Sequence, residues 1–212
     1  MMKKWKSAAA VLVASMMMVM STGCLALVGS NKNNKSKKTS KTKADKETSE
    51  KADKDDGKSG ENTRIETDFG SYTLDKYWVE AKGQSMPPDV FVYCFQGNEN
   101  SETPPNNIVV RHDTNDYTKD QHEDFCTAIL VQVKNQAAAY GGDAHLEGFG
   151  EINGCMCYEF VMDCTPYTIQ WYFCGEKEFV MIGVSIYDEQ AHNQDRAVDV
   201  AQALVNSFEW KK

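Results

Sequence analysis

Residues 155–187 read CMCYEFVMDCTPYTIQWYFCGEKEFVMIGVSIY, and the fold turns on how this stretch pairs with itself. Three apolar-rich runs, Cys155–Cys164, Tyr167–Cys174 and Glu178–Tyr187, are separated by Thr165-Pro166 and by Gly175-Glu176-Lys177. Both separators carry turn residues, so the runs are expected to form a three-strand antiparallel meander. A first turn centred on Thr165-Pro166 sets Met162 opposite Ile169, Phe160 opposite Trp171 and Tyr158 opposite Phe173. A second, centred on Glu176-Lys177, sets Phe173 opposite Val180, Trp171 opposite Ile182 and Ile169 opposite Val184. In that register these apolar residues share one face, and a slip of one residue would carry a strand's whole set to the other. The opposite face holds Glu159, Asp163, Thr168, Gln170, Gly183 and Ser185, with Tyr172 and Met181, a mixture that a helix is expected to cover in part.

Working outward, two amphipathic segments flank the meander. Between Asp120 and Tyr140, Phe125, Ile129, Val133, Ala137 and Tyr140 recur at helical spacing, and Gly141-Gly142 ends the run. From about Gln194 to Ser207, Ala197, Val200, Ala201 and Leu204 form one stripe that continues to Phe208. Phe69–Leu74, Asp89–Phe95 and Asn107–His112 read as strands, and Gln96–Asn106, with Gly97, Pro104 and Pro105, as a loop. The fold class that follows is α+β: an antiparallel sheet with a C-terminal three-strand meander and helices packed on it.

Charge divides the 212-residue chain. Residues 1–62 hold 13 Lys against 7 Asp and Glu, a net of +6, whereas residues 63–212 hold 10 Lys and Arg against 24 acidic residues, a net of −14. An acidic body repels a phosphate backbone, so nucleic acid is not an expected partner. From Asn31 to Asn62 there is no Val, Leu, Ile, Met or aromatic residue. Nothing there offsets the entropy of ordering the chain, and a flexible segment of about 35 residues reaches roughly 30 Å.

The extreme N-terminus is an address. Lys3, Lys4 and Lys6 precede the uncharged apolar run Ala8–Met20, then Ser21-Thr22-Gly23 and Cys24. This pattern resembles a bacterial lipoprotein signal, with Ser21 where such signals usually place Leu. The resemblance implies cleavage before Cys24 and a lipid, diacylglycerol with palmitate-type chains, on that cysteine. The chain is then organised as signal peptide 1–23, lipidated N-terminus and disordered tether 24–62, and acidic globular domain 63–212. An uncleaved membrane anchor and plain secretion are the alternatives. All three place the body outside the cytoplasm, the first on the outer face of the cytoplasmic membrane.

Three phrases resemble the PsbP-like and DcrB-like α/β/α sandwiches of bacterial lipoproteins. They are Phe69-Gly70-Ser71-Tyr72, Gly148-Phe149-Gly150-Glu151-Ile152-Asn153-Gly154 and Ala201-Gln202-Ala203-Leu204-Val205-Asn206-Ser207-Phe208. The resemblance implies a non-enzymatic accessory or binding module, and it transfers no catalytic residue.

Six cysteines remain in the body: Cys94, Cys126, Cys155, Cys157, Cys164 and Cys174. Outside the cytoplasm an even number permits a disulfide framework. The register above places Cys157 directly opposite Cys174, within bridging range. Free buried thiols are the competing reading, and a metal or thiol site built from Cys155, Cys157 and Cys174 is a third. Cys-x-x-Cys, the usual zinc and thioredoxin spacing, is absent.

Catalytic motifs are few. Gly183-Val184-Ser185-Ile186-Tyr187 lacks the last glycine of a nucleophile elbow, and there is no P-loop, H-E-x-x-H or G-x-G-x-x-G. Asp113-Thr114-Asn115-Asp116-Tyr117 begins like a calcium loop and breaks at Tyr117 and Thr118. His122 and Cys126, four apart on a helix, could face each other. Trp171 and Phe160 are expected in the core, and Trp78, beside loop-forming Lys82-Gly83 and Pro87-Pro88, is the candidate exposed aromatic or else a lid on the core. The reading that follows is a lipid-anchored, extracytoplasmic binding or accessory module whose partner is an envelope protein or small ligand, with no cofactor. Its alternatives are a metal- or thiol-handling envelope protein and, lacking a nucleophile–base pair, a secreted hydrolase.

Overall fold

A computed structural model describes residues 61–101, 105–187 and 194–212. The signal peptide, Cys24 and nearly all of the tether lie outside the described residues. Within them the elements run β1 (Thr63–Glu66), β2 (Gly70–Leu74), β3 (Trp78–Glu80), β4 (Val90–Phe95), β5 (Asn107–Thr114), α1 (His122–Ala139) and β6 (Asp143–Ile152). They continue with β7 (Cys155–Asp163), β8 (Tyr167–Cys174), β9 (Glu178–Ile186), α2 (Gln194–Ser207) and β10 (Glu209–Trp210). A single 3-10 turn, Lys119–Gln121, leads into α1, with Thr118 and Gln121 forming a capping box.

Seven antiparallel strands make the main sheet in the order β3-β4-β5-β9-β8-β7-β6, and a second sheet is ordered β1-β2-β10. The expected meander is therefore four strands long, because β6 precedes β7 as the sheet's edge. One face of the main sheet is covered by α1, whose buried stripe is Phe125, Ile129, Val133 and Ala137. Phe125 packs 6.3 Å from Tyr172 and 5.8 Å from Phe179, ring centre to ring centre. The other face is covered by α2 and β2, which bury Ala197, Ala201, Leu204, Tyr72 and Leu74 against Ile108, Ile169, Phe173, Val180, Ile182 and Val184. An α+β architecture of helix, sheet, then helix with a small sheet results.

The β8–β9 register is as expected, with Phe173 opposite Val180, Trp171 opposite Ile182 and Ile169 opposite Val184. The β7–β8 register differs by one residue. Val161 faces Ile169, Glu159 faces Trp171 and Cys157 faces Phe173, so the turn centres on Thr165. Phe160, Met162 and Tyr158 consequently lie on the α1 face. The physical reason is the second covered face. Every β8 residue from Thr168 to Cys174 is buried, so either register hides apolar surface and alternation exerts no choice.

The α1 face also buries polar groups, each partnered. Arg111 donates to Asp113 at 2.5 Å, and the Tyr172 hydroxyl donates to Gln170 at 2.9 Å. Burial pushes the Tyr172 hydroxyl well up. Asp113 thus serves an arginine within β5, and only Asn115-Asp116-Tyr117 of the calcium-like run lies in a loop.

Candidate binding groove at the sheet edge

Strand β6 owes its position to Asn153-Gly154. Both residues have positive φ, 51° and 78°, the backbone that a two-residue hairpin between twisted strands requires. The Asn153 amide then donates to the Asn206 and Phe208 carbonyls at 3.1 and 2.8 Å, fastening this hairpin to the end of α2. Along β6 the pairing shifts between Leu146 and Gly148, a bulge, after which Gly148 faces Glu159, Gly150 faces Cys157 and Ile152 faces Cys155.

Glycines at 148 and 150 leave the α2 side of this edge bare. A Cβ added to either would meet nothing within 4 Å. A groove of about 320 Å³ opens there, lined by Gly148, Phe149, Gly150, Ile152, Cys157, Glu159, Trp171 and Gln202. Trp171 is 2 % exposed, and its indole N–H has no hydrogen-bond partner. The Trp171 ring thus closes the floor of the groove, while its N–H lies beneath that surface, out of reach of solvent.

Carboxylates gather along the rim. By alternation Asp143, Glu159 and Asp163 share the groove's side of the sheet. The Tyr167 hydroxyl is raised by burial first, and then by Asp163, Glu147 and Glu159. His145 is within 3.1 Å of Glu147 and 3.7 Å of Asp163, the basic group in this cluster. On the other side of the edge Phe149 is 71 % exposed and rests 5.9 Å from Tyr158, whose hydroxyl meets His122 Nδ1 at 2.6 Å.

The sequence-derived candidates fall elsewhere. Cys157 is not opposite Cys174; it faces Phe173, and Cys174 faces Phe179 one position on, on the opposite side of the sheet. The pair named as a bridge is therefore not brought together by the strands, and Cys94, Cys126, Cys155, Cys157, Cys164 and Cys174 all carry free thiols in this structure. Cys155 and Cys157 do share a face, but Cys174 does not join them. Among the described residues no group of three or more His, Cys, Asp or Glu is placed to hold a metal ion. Burial pushes the Cys126 thiol up, opposite to what a nucleophile needs, and His122 turns its Nδ1 to Tyr158. Trp78 is buried, so it is the lid rather than the exposed aromatic.

Gly148, Gly150, Glu159 and Gln202 were not among the expected site residues. The signal for them was present in Asn153-Gly154, which marks a hairpin and so adds a strand before Cys155.

The class defined by this fold and site is an α+β sandwich with an open groove at the sheet edge. No protein-family model matches the chain, and no curated protein matches it. Among solved structures it is similar to the solution structure of cyanobacterial PsbP (CyanoP) from Synechocystis sp. PCC 6803. That match has 12 % identity and a TM-score of 0.45, covering 73 % of this chain and 96 % of that one. A second similar structure, from Bacteroides thetaiotaomicron VPI-5482, has 9 % identity and a TM-score of 0.38, covering 68 % of this chain and 45 % of that one. Among the described residues no helix is long and apolar enough to cross a membrane.

Proposed function

We propose that this protein is a non-catalytic binding or accessory module, anchored by lipid at Cys24 to the outer face of a bacterial cytoplasmic membrane. The groove beside β6 is its contact surface. The observation carrying the binding half is the open groove itself, floored by Trp171 and left bare by Gly148 and Gly150. The anchoring half rests on the basic, apolar and small-residue order ending at Cys24. The 24–62 segment, with its polar composition, holds the body clear of the bilayer, where the partner is an envelope protein or small ligand. The net of −14 on residues 63–212 disfavours nucleic acid.

The test is a photo-crosslinking amino acid placed at Gln202, with the same group at Lys134 on α1 as control, in intact cells. A discrete adduct at Gln202 alone is the expected result; identical adducts at both positions sink the groove assignment. Anchoring is read separately. Cys24→Ser is expected to leave the membrane fraction without a lipid-sized mass on the chain, and an unchanged membrane-bound protein overturns the lipid.

A further inference from the structure

The proposed groove sits against a strand with only one partner. β6 pairs with β7 and ends the main sheet, so the outward-facing backbone groups of Gly148–Ile152, past the bulge, have no ladder partner among the described strands. An edge of this kind templates another strand unless something blunts it. The bulge blunts the first half, between Leu146 and Gly148. The second half has two glycines, which put no side chain in the way on the groove side.

An acidic rim surrounds that open half. Among the described residues, Glu147 and Asp163 pair with His145, and Glu159 and Asp143 have no ion pair. A metal ion would answer the carboxylates and leave the backbone groups of the edge unpaired. An extended peptide with basic side chains answers both, because its backbone pairs with the open strand and its ammonium or guanidinium groups pair with carboxylates. A second copy of the same strand would set Glu147, Glu151 and Asp143 against themselves, which like-charge repulsion disfavours.

We propose that the β6 edge binds an extended lysine- or arginine-bearing segment of a partner protein, which adds to the sheet along Gly148–Ile152. Its basic side chains meet Glu147, Glu159 and Asp163. This rests on the groove being the contact surface, and it names the partner's chemistry. Exposed charges of this kind are screened, so binding weakens as salt rises.

The test titrates the full chain with a short synthetic peptide alternating lysine and threonine, following backbone amide resonances. Saturable binding with shifts concentrated on Gly148–Ile152, and a loss of at least roughly tenfold in affinity for Glu159→Lys or Glu147→Lys, is expected. Val131→Ser, at an exposed position on α1, serves as a folded control with unchanged affinity. Equal binding of a glutamate–threonine peptide, or of a free polyamine with the same shifts, overturns the proposal in favour of an unspecific or purely cationic site. Binding that appears only after deletion of Lys32–Lys43 assigns the edge to the chain's own basic segment and also overturns it. If no peptide binds while the Gln202 adduct above persists, this inference fails and the groove reading stands; if both fail, the groove itself is wrong.

Discussion

Cys155 accepts a hydrogen bond from the Trp210 indole at 3.2 Å and donates its own thiol to the Cys174 carbonyl at 3.0 Å. Burial pushes its pKa up, as it does for Cys157, while Cys174 is pushed up to about 11. Thiols held protonated inside a core are poor nucleophiles. The native protein is therefore expected to react sluggishly with an alkylating reagent at neutral pH, and unfolding without reductant should expose all six body thiols at once. Intact mass reads the count, and fewer than six without reductant would reveal a bridge. A second residue-scale effect lies in the Tyr72–Tyr93 pair, whose hydroxyls meet at 2.7 Å in the core. Burial raises both, Tyr93 from an ordinary 10.0 to about 12. The folded state keeps a proton that the unfolded chain gives up sooner. The pair's contribution is thus complete below pH 10 and drains away as pH climbs toward about 12. Denaturant midpoints measured across that window should fall, and less steeply in Tyr93→Phe.

At the scale of elements, β2 approaches its neighbours closely because Gly70 has no side chain. A Cβ there would lie 2.5 Å from the Glu209 carbonyl oxygen and 2.9 Å from the Phe208 ring. Gly70→Ala is expected to push β10 and Phe208 away and to cost about 2 kcal/mol or more, measurable as a lowered unfolding midpoint. Phe208 itself, 4.7 Å from Phe173 and fully buried, should cost about 3–5 kcal/mol when cut to alanine. Both helices were legible from their apolar spacing, since each has one covered face and one wet one. So was the β8–β9 pairing, because Val180, Ile182, Val184 and their partners are uniformly apolar across one face. The β7–β8 register was not. With α1 on one side and α2 on the other, Tyr158, Phe160 and Met162 are as well buried on the α1 face as Cys157 and Val161 are on the α2 face. β6 escaped notice because an exposed edge strand, DAHLEGFGEI, lacks the two-residue apolar alternation of a half-buried one.

For the molecule as a whole, charge and topology matter more than any single contact. The short strands β1 and β10 both flank β2, so Glu66 and Glu209 each stand opposite Ser71. Arg64 spans the gap, donating to Ser71 at 2.5 Å and to Glu209 at 2.9 Å. The two ends of the body are therefore a few strand widths apart. A circular permutant joining them with a short glycine–serine linker, reopened in the turn at the exposed Asn100, should keep the native circular-dichroism spectrum and a cooperative melt; a non-cooperative melt would contradict this closeness. The groove was the least legible feature, because what makes it is the absence of side chains at Gly148 and Gly150, and an absence leaves no pattern in composition or periodicity.

The same pairing imposes an order in time. A chain emerging N-terminus first presents β2 and β5 early, yet β2 completes its sheet with β10 and β5 is joined to β9. Their apolar faces stay uncovered until nearly the last residue is out. Folding of this body is thus a late, concerted event, and the nascent chain must be shielded until Trp210 arrives.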